Sequence, residues 1–333
     1  MRTSILTAVV FLALLSGCRQ HGAPAEYSRV GTVMDTFVQV KVSDAALGRD
    51  RLESAVEGCL GLAEELSGKF SAFSPSSEIN LLNTRKRMEV SPDLLDVISR
   101  SADMSSLTGG GFDVTVAPIL KRQGLYRNMP EVILREIPDD TAAVNWRNVG
   151  INEEDGIITL KGGAWVDLSG IAKGYIVDRM SAFLSEAGIA SVMVNAGGDI
   201  YCGARIGGGE WLVGVRKPGK GAVSLVLGLK NTAVATSGDY ENFVRDEATG
   251  EEVSHIADPD SGRTLKKSIS SVTVIAPDCA QADALATGMM AMGPEKGIAL
   301  ADSTPGVEVI YIFEEAGKER VVMSKGAGEY IVD

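Results

Sequence analysis

The sequence predicts an α+β (mixed α/β) protein in which strands form mixed sheets with flanking helices. Apolar residues recur with a period of two in some segments and with a helical period in others. Glycine-rich turns follow several of the predicted strands, which is where ligand sites collect on such scaffolds. The 333 residues are 45% apolar and 23% charged, ordinary values for a globular protein with a substantial core.

The charge of the chain limits its possible partners. The formal net charge is −12, which argues against nucleic acid as a partner, because a phosphate backbone requires a basic face. A phosphate-containing ligand would have to be bound locally, through backbone N–H groups, a metal ion or a few well-placed cations.

The N-terminus has the pattern of an export signal. Arg2 precedes an apolar run at 5–15 that is too short to span a bilayer. The run ends in Leu-Ser-Gly-Cys at 15–18, which resembles a bacterial lipobox and implies diacylation of Cys18. A plain secreted protein or a transmembrane anchor is the alternative.

We therefore predict three regions. These are a lipoprotein signal peptide at 1–17, a lipidated cysteine with a flexible tether at 18–28, and one domain at 29–333. The protein is expected to be exported and anchored to a membrane through Cys18, facing the periplasm or the cell exterior. Of the other cysteines, Cys59, Cys202 and Cys279, we expect buried free thiols, although export would permit a disulfide.

The first third of the chain is predicted to contain one strand and three helices. Ser91-Pro92 is a strong helix start, because serine caps a helix and proline is favoured in its first turn. The predicted elements are a strand at 29–42, a helix at 49–66, a short helix from 76–78 to about 83 and a helix through 94–107. Residues 121–148 are read as a peripheral helix and loops.

Two glycine-bearing segments follow. Gly109-Gly110-Gly111 either ends the helix as a cap and linker or lets the backbone approach a ligand closely. Strands at 157–160 and 164–168 are predicted to form a hairpin, followed by a turn and a helix reaching about residue 187. The start of that helix is a common setting for phosphate, and Lys173 could steady a phosphate or be a solvated lysine. The spacing is not that of a Walker loop.

The remaining chain is predicted to contain several strands and two helices. Strands are expected at 191–194, before a glycine turn at 195–200, and then at 211–215, 223–229 and 232–236 as a meander. Further elements are a strand at 271–276, helices at 280–292 and 295–301, and a hairpin of 307–313 with 319–323.

The helix at 280–292 carries a candidate metal site. Asp283 and Thr287 are four residues apart, so their side chains project from one helical face. Carboxylate and hydroxyl oxygens suit a hard cation near phosphate, and His255 lies in the preceding turn-rich segment. The spacing alone is also compatible with a purely structural helix.

Seven motifs in order resemble the ApbE-type FAD:protein FMN transferases, over roughly residue 29 to the C-terminus. They are Ser77-Glu78-Ile79-Asn80 with Leu82-Asn83, Gly111-Phe112-Asp113, Asp167-Leu168-Ser169-Gly170-Ile171-Ala172-Lys173-Gly174, Asn195-Ala196-Gly197-Gly198-Asp199, Ala235-Thr236-Ser237-Gly238-Asp239-Tyr240, Ser254-His255-Ile256 with Asp258-Pro259, and Ala282-Asp283-Ala284-Leu285-Ala286-Thr287. The lipobox is also typical of that family.

The resemblance implies an ApbE-like fold with FAD in a cleft at the strand ends. It implies Mg²⁺-dependent transfer of FMN from FAD to a threonine hydroxyl of an acceptor protein, with release of AMP. The acceptors it suggests are membrane redox subunits exposed outside the cytoplasm. The implied metal ligands are Asp283, Thr287 and the Gly170 carbonyl, and the implied FAD contacts are Met34, Phe73, Gly111, Phe112, Asp113, Asp167, Lys173 and Ala257. His255 matches the histidine that assists deprotonation of the acceptor threonine.

Some alternatives stay open at the level of sequence. Val114 and Ala117 stand where the family commonly has proline and glycine, so the loop after Asp113 could be shaped differently. By its own neighbours, Phe73 is read as a core residue. A Mg²⁺-dependent FAD pyrophosphatase, with water in place of threonine, and a non-enzymatic FAD-binding lipoprotein are the rival functions.

Overall fold

A computed structural model of the chain describes residues 24–34, 36–216, 222–238, 243–245, 252–266, 269–315 and 318–332. The predicted signal peptide, Cys18 and most of the predicted tether lie outside the described residues. None of the helices in these ranges is both long enough and apolar enough to cross a membrane.

Sixteen strands and seven helices are described in these ranges. The strands are β1 Ala25–Val33, β2 Thr36–Asp44, β3 Arg87–Glu89, β4 Val149–Asn152, β5 Ile157–Leu160, β6 Ser191–Ala196, β7 Asp199–Cys202, β8 Trp211–Arg216, β9 Val223–Leu229, β10 Thr232–Gly238, β11 Phe243–Arg245, β12 Glu252–Asp258, β13 Arg263–Lys266, β14 Ser271–Ala276, β15 Glu308–Glu315 and β16 Lys318–Met323. The helices are α1 Arg49–Phe70, α2 Glu78–Arg85, α3 Pro92–Leu107, α4 Ala117–Arg122, α5 Glu131–Leu134, α6 Ala172–Glu186 and α7 Cys279–Ser303.

An eight-stranded sheet forms the centre, in the order β1-β2-β6-β7-β10-β14-β15-β16. The α+β class with sheets and flanking helices is confirmed, and every described pair in this sheet is antiparallel. The two-residue turn Gly197-Gly198 joins β6 to β7, and so short a turn can connect only antiparallel strands.

Helices cover one face of the large sheet. Val38, Val40 and Val42 of β2 are buried there, in one apolar cluster with residues of α1 and α6. α7 packs beside them in a second cluster with β14 and β15. The two-stranded ribbon of β8 and β9 covers part of the opposite face, where its apolar side chains meet those of β7, β10 and β14.

Local signals placed several helices correctly. The Ser91 hydroxyl accepts the Leu94 N–H at 3.3 Å and α3 begins at Pro92, as predicted. α1 begins at residue 49 as predicted, and α6 ends at Glu186, next to its predicted end. The predicted helices at 280–292 and 295–301 are the two helical segments of α7, which meet at a kink where Gly293 has a non-helical φ of 77° and Pro294 follows.

Three strand predictions were wrong. The strand at 29–42 is instead the β1–β2 hairpin, which begins at Ala25 inside the predicted tether and turns at Met34, whose φ is 54°. Residues 164–168 form no strand, because Val166 bonds to a side chain: its N–H and C=O each pair with the Asn83 amide at 2.7 Å. The predicted meander is broken, since β9 pairs with β8 while β10 pairs with β7 and β14.

The three described cysteines are free and buried, as expected. Burial raises the pKa of Cys59 and of Cys202 to about 12 and raises that of Cys279 well above its ordinary value. Reactivity requires the thiolate, so these cysteines act as small apolar core residues.

Candidate active site

A cavity of about 320 Å³ opens at the end of the large sheet where β10 meets α7. Its walls come from the loop after α3, the turn before α6, the β6–β7 turn, β10, β12 and α7. Apart from Met34, Phe73 and Cys18, the predicted site residues all line it: Gly111, Phe112, Asp113, Asp167, Gly170, Lys173, His255, Ala257, Asp283 and Thr287.

Asp283 and Thr287 lie one turn apart on α7, as their spacing predicted. Asp283 is buried, and its Oδ2 accepts the Gly174 N–H at 3.1 Å. The Thr287 hydroxyl lies 3.4 Å from the Ser237 hydroxyl of β10. Gly170 is their neighbour, since a Cβ added there would lie 3.4 Å from the Thr287 hydroxyl oxygen.

The start of α7 is fixed by two carboxylates. The Asp278 side chain accepts the Gln281 N–H at 2.8 Å, and Asp178 of α6 accepts the N–H groups of Cys279 and Ala280, each at 2.8 Å. These bonds satisfy orphan N–H groups of the first turn, where negative charge is also favourable. α6 thereby sets the position of the helix that carries Asp283 and Thr287.

Lys173 lies between two carboxylates. Its Nζ forms an ion pair with Asp199 and also lies 3.3 Å from the Asp283 Oδ1. Burial lowers the pKa of Lys173, but the two neighbouring carboxylates outweigh burial and raise the pKa above its ordinary value. Lys173 is therefore a charged part of the site and not a solvated surface lysine.

Asp113 organises the loop behind the cavity. One carboxylate oxygen accepts from the backbone and hydroxyl of Thr115, at 2.7 and 2.6 Å, and the other accepts the Trp146 N–H at 2.9 Å. Burial raises its pKa, although these bonds act in the opposite direction. Phe112 packs on Gly288, where an added Cβ would lie 3.0 Å from the Phe112 Cβ. The glycine turn thus provides both the helix end and a cavity wall.

Asp167 lies beside this loop, and its N–H donates to the Val114 carbonyl at 2.7 Å. It accepts the Ser169 N–H at 2.8 Å and the hydroxyl of Tyr126. Burial, followed by the charge of Asp167, raises the pKa of Tyr126 well above its ordinary value, so Tyr126 stays a proton donor. The Phe73 ring meets the Tyr126 ring edge-on, with 6.5 Å between ring centroids.

The predicted core position of Phe73 was wrong. Its side chain is 47% exposed, near the cavity and not within its lining. Met34 lies at the β1–β2 turn, outside the lining. The residue two positions further on, Thr36, contacts the cavity wall, since a Cβ on Gly197 would lie 2.6 Å from its hydroxyl oxygen. Cys18 lies outside the described residues.

His255 and Ala257 both come from β12. His255 is half-buried and Ala257 is buried, and both line the cavity together with Pro259. The β12–β13 pairing shifts register between Val253 and Ala257. An irregular strand of this kind commonly redirects a side chain at a site.

The oxygen atoms around Asp283 fit a hard cation better than a transition metal. No group of three or more His, Cys, Asp or Glu side chains suitable for a metal occurs in the described ranges. The carboxylate of Asp283, the hydroxyl of Thr287 and the adjacent Gly170 are an oxygen donor set, which Mg²⁺ accepts when phosphates or water complete its shell. The residues present therefore fit magnesium.

Sequence reasoning gave no role to three residues of this site. Asp199 and Ser237 lie in motifs quoted above, but their contacts with Lys173 and Thr287 join distant parts of the chain. Tyr126 lies in a segment that was read as peripheral, yet it is buried against Asp167. Of the three residues, only Asp199 had a local signal in the sequence, since it directly follows the Gly197-Gly198 turn.

Comparisons with known proteins agree with this geometry. A model of the ApbE family matches residues 34–311. An FAD:protein FMN transferase of Vibrio cholerae is 33% identical over 315 residues, covering 90% of each chain, and one of Escherichia coli K12 is 26% identical over 99% of this chain and 97% of its own.

Solved structures show the same fold. The flavin transferase ApbE from Vibrio cholerae superposes with a TM-score of 0.77 at 27% identity, covering 92% of this chain and 99% of that one. The ApbE protein of Thermotoga maritima gives a TM-score of 0.80 at 28% identity, covering 93% and 100%. With its family match, its relatives and its cavity residues in agreement, the chain belongs to the ApbE family.

Proposed function

We propose that the protein transfers FMN from FAD to a threonine hydroxyl of an acceptor protein in a Mg²⁺-dependent reaction. The observation that carries the proposal is the single cavity that gathers Asp283, Thr287, Lys173 and His255. The relatives named FAD:protein FMN transferase, which match this chain over most of its length, support it.

The reaction is a phosphoryl-group transfer. The threonine oxygen attacks the FMN phosphorus of FAD, the bond from that phosphorus to the bridging oxygen breaks, and AMP leaves with the electron pair. The threonine proton passes to His255, since the neutral form of an imidazole can accept a proton from a reacting hydroxyl. The oxidation state of the flavin does not change.

Asp283, Thr287 and the Gly170 carbonyl would hold Mg²⁺. The ion would neutralise charge that develops on the pyrophosphate as AMP leaves. Lys173 supplies a fixed positive charge beside Asp283, and Asp199 holds that lysine in place. Gly111, Phe112, Asp113, Asp167 and Ala257 form the walls against which FAD is oriented, and Met34 and Phe73 are proposed as further contacts at its edge.

The location follows from the N-terminus. We propose that Cys18 is diacylated and anchors the protein to a membrane, facing the periplasm or cell exterior, where it would meet an exposed membrane redox subunit. Metabolic labelling with a fatty acid tests this: label that persists in Cys18→Ala would contradict it.

The test of activity uses a form that begins after Cys18, with FAD, Mg²⁺ and a candidate acceptor domain. Intact-mass spectrometry follows the acceptor, and chromatography follows AMP and free FMN. We expect an FMN-sized mass gain on the acceptor that Asp283→Ala abolishes. Asp50→Ala, in the exposed first turn of α1, is the matched control and should retain activity.

The other outcomes separate the rival functions. Free FMN and AMP with no modified acceptor, across a panel of acceptors, would indicate an FAD pyrophosphatase. Binding of FAD with no turnover would indicate a flavin-binding lipoprotein. Turnover that survives in Asp283→Ala would contradict the proposed metal site.

A further inference from the structure

A second cavity, of about 590 Å³, lies on the face of the large sheet opposite α1 and α6. We call it the β8 groove. Its floor comes from Phe37, Gln39 and Lys41, which alternate along β2 and so point to one face. Asn195 and Met193 of β6 continue the floor, since they pair in register with Gln39 and Lys41. The wall of the groove is β8.

The β8 groove is continuous with the candidate active site. Gly197 and Thr236 line both cavities. Gly197 lies in the β6–β7 turn, while Thr236 is followed on β10 by Ser237, whose hydroxyl contacts Thr287. A chain segment in the groove would therefore reach the reacting phosphate at one end without crossing a core element.

The wall presents an open strand edge. All six residues of β8 line the groove and no residue of β9 does. Among the described residues, β8 pairs with β9 alone, whereas the other edge of β9 is covered, with the Val332 N–H donating to the Val226 carbonyl at 2.8 Å.

The register of the ribbon shows which backbone groups are available. The Val226 carbonyl points away from β8, and Val226 is opposite Gly214. In an antiparallel pair, residues opposite each other both point their N–H and C=O inward or both point them outward. The backbone groups of Gly214 therefore point into the groove, and those of Leu212, two residues away, do the same. An extended peptide could bond to them as an added strand.

Two basic side chains line the groove of an acidic protein. Lys41 and Arg216 line it, and no Asp or Glu is among its lining residues in the described ranges. The chain as a whole has a net charge of −12. Opposite charge across an interface favours encounter and fixes register, so the groove favours an acidic segment.

We infer that the β8 groove is the docking site for the acceptor protein. An extended acidic segment of the acceptor adds to the free edge of β8, and its threonine emerges at the Gly197–Thr236 end beside the phosphate. This inference rests on the proposed transferase function. It assigns acceptor recognition to surfaces that make no contact with Asp283 or Thr287.

The experiment uses the full chain in detergent with FAD, Mg²⁺ and a library of carrier-fused extended segments. Each segment has one threonine, with flanks that are acidic, neutral or basic, and flavin fluorescence with sequencing identifies modified members. The test variant is Lys41→Glu with Arg216→Glu. The control is Arg51→Glu with Lys161→Glu, which makes the same charge change at exposed positions that line neither cavity.

We expect the wild type and the control to modify acidic members preferentially. In the test variant, transfer to acidic members should fall about tenfold or more and transfer to basic members should rise. The affinity for FAD should stay unchanged. For a modified member made as a peptide, N-methylation at successive positions should impair transfer at every second residue, because only alternate N–H groups face β8.

Other results would overturn the inference. If the modified members show no charge preference, or a preference that the test variant leaves unchanged, the protein is a transferase but this docking site is refuted. The docking site would also be refuted if light scattering shows a dimer for the wild type and a monomer for the test variant, and if that monomer is fully active. The groove would then bind a second copy of this chain. FAD cleavage without any modified member would contradict both the transferase function and the docking site.

Discussion

The crossing of α6 and α7 gives a quantitative test of how the site is assembled. At Gly174 an added Cβ would lie 2.2 Å from the Cys279 carbonyl oxygen and 2.9 Å from the Ala280 Cα. Both are backbone atoms that cannot rotate away. Moving from 2.2 Å to an ordinary contact of 3.4 Å requires the helices to separate by about 1.2 Å in Gly174→Ala.

Two opposing effects decide the stability of this variant. Alanine is favoured over glycine within a helix by about 1 kcal/mol, whereas overpacking a close helix contact costs about 1–3 kcal/mol. Because the added Cβ would press against backbone atoms of α7, we expect the cost of overpacking to exceed the gain in helix propensity. The same separation moves Asp283 away from the Gly174 N–H, and a misplacement of about 1 Å can reduce a rate about 100-fold.

Thermal unfolding and Mg²⁺-dependent AMP release from FAD measure the two effects. Gly61→Ala in α1 is the control, because nothing lies within 4 Å of its added Cβ. We expect Gly61→Ala to be as stable as the wild type or more so, with full activity. If Gly174→Ala matches it in both assays, the close crossing does not position the site and the reasoning is wrong.

Two further predictions concern His255 and Asp178. His255→Ala should reduce transfer about 100-fold or more while leaving FAD binding intact, as measured by acceptor mass and by flavin fluorescence; equal loss of both would make His255 a ligand contact instead of a base. Burial and the nearby Asp278 raise the pKa of Asp178 from 3.8 to about 7, so the folded state binds more protons than the unfolded state in that window, and the free energy of unfolding should fall as pH rises through it. Urea unfolding at several pH values should show a weaker fall of the unfolding free energy with pH in Asp178→Asn than in the wild type. If the two proteins show the same dependence on pH, Asp178 is not its source.

The sequence was informative where structure is determined locally. α3 could be predicted to start at Pro92 because Ser91 caps it, and Asp283 and Thr287 could be placed on one face because helical spacing requires it. The prediction of a strand at 164–168 failed although all five residues are buried and four of them are apolar. The backbone of this segment bonds to the Asn83 side chain, 83 residues away from Val166. Periodicity cannot detect a side chain that takes the place of a neighbouring strand.

The prediction of one continuous strand at 29–42 failed for a related reason, because the chain turns at Met34. A left-handed conformation is uncommon for methionine, so nothing in Val33 to Thr36 marks the hairpin that divides the predicted strand. The pairing of β1 with β2 supplies the bonds that hold it. The prediction that 121–148 is peripheral overlooked Tyr126, because its hydrogen-bond partner Asp167 is distant in the chain.

The charges at Lys173 show what such distant contacts add to function. Its partners Asp199 and Asp283 are 26 and 110 residues away, and together they place one cation between two buried carboxylates. A divalent ion that binds Asp283 must share this carboxylate with Lys173, so Mg²⁺ alone should bind weakly. The pyrophosphate of FAD brings negative charge that offsets the added positive charge.

Binding of FAD and of Mg²⁺ should therefore be mutually favourable. Linkage requires the factor by which FAD raises Mg²⁺ affinity to equal the factor by which Mg²⁺ raises FAD affinity. Calorimetric titrations in both orders, on a variant such as His255→Ala that turns over slowly, would measure the two factors. Tight Mg²⁺ binding without FAD, unaffected by its addition, would mean that Lys173 does not compete for Asp283.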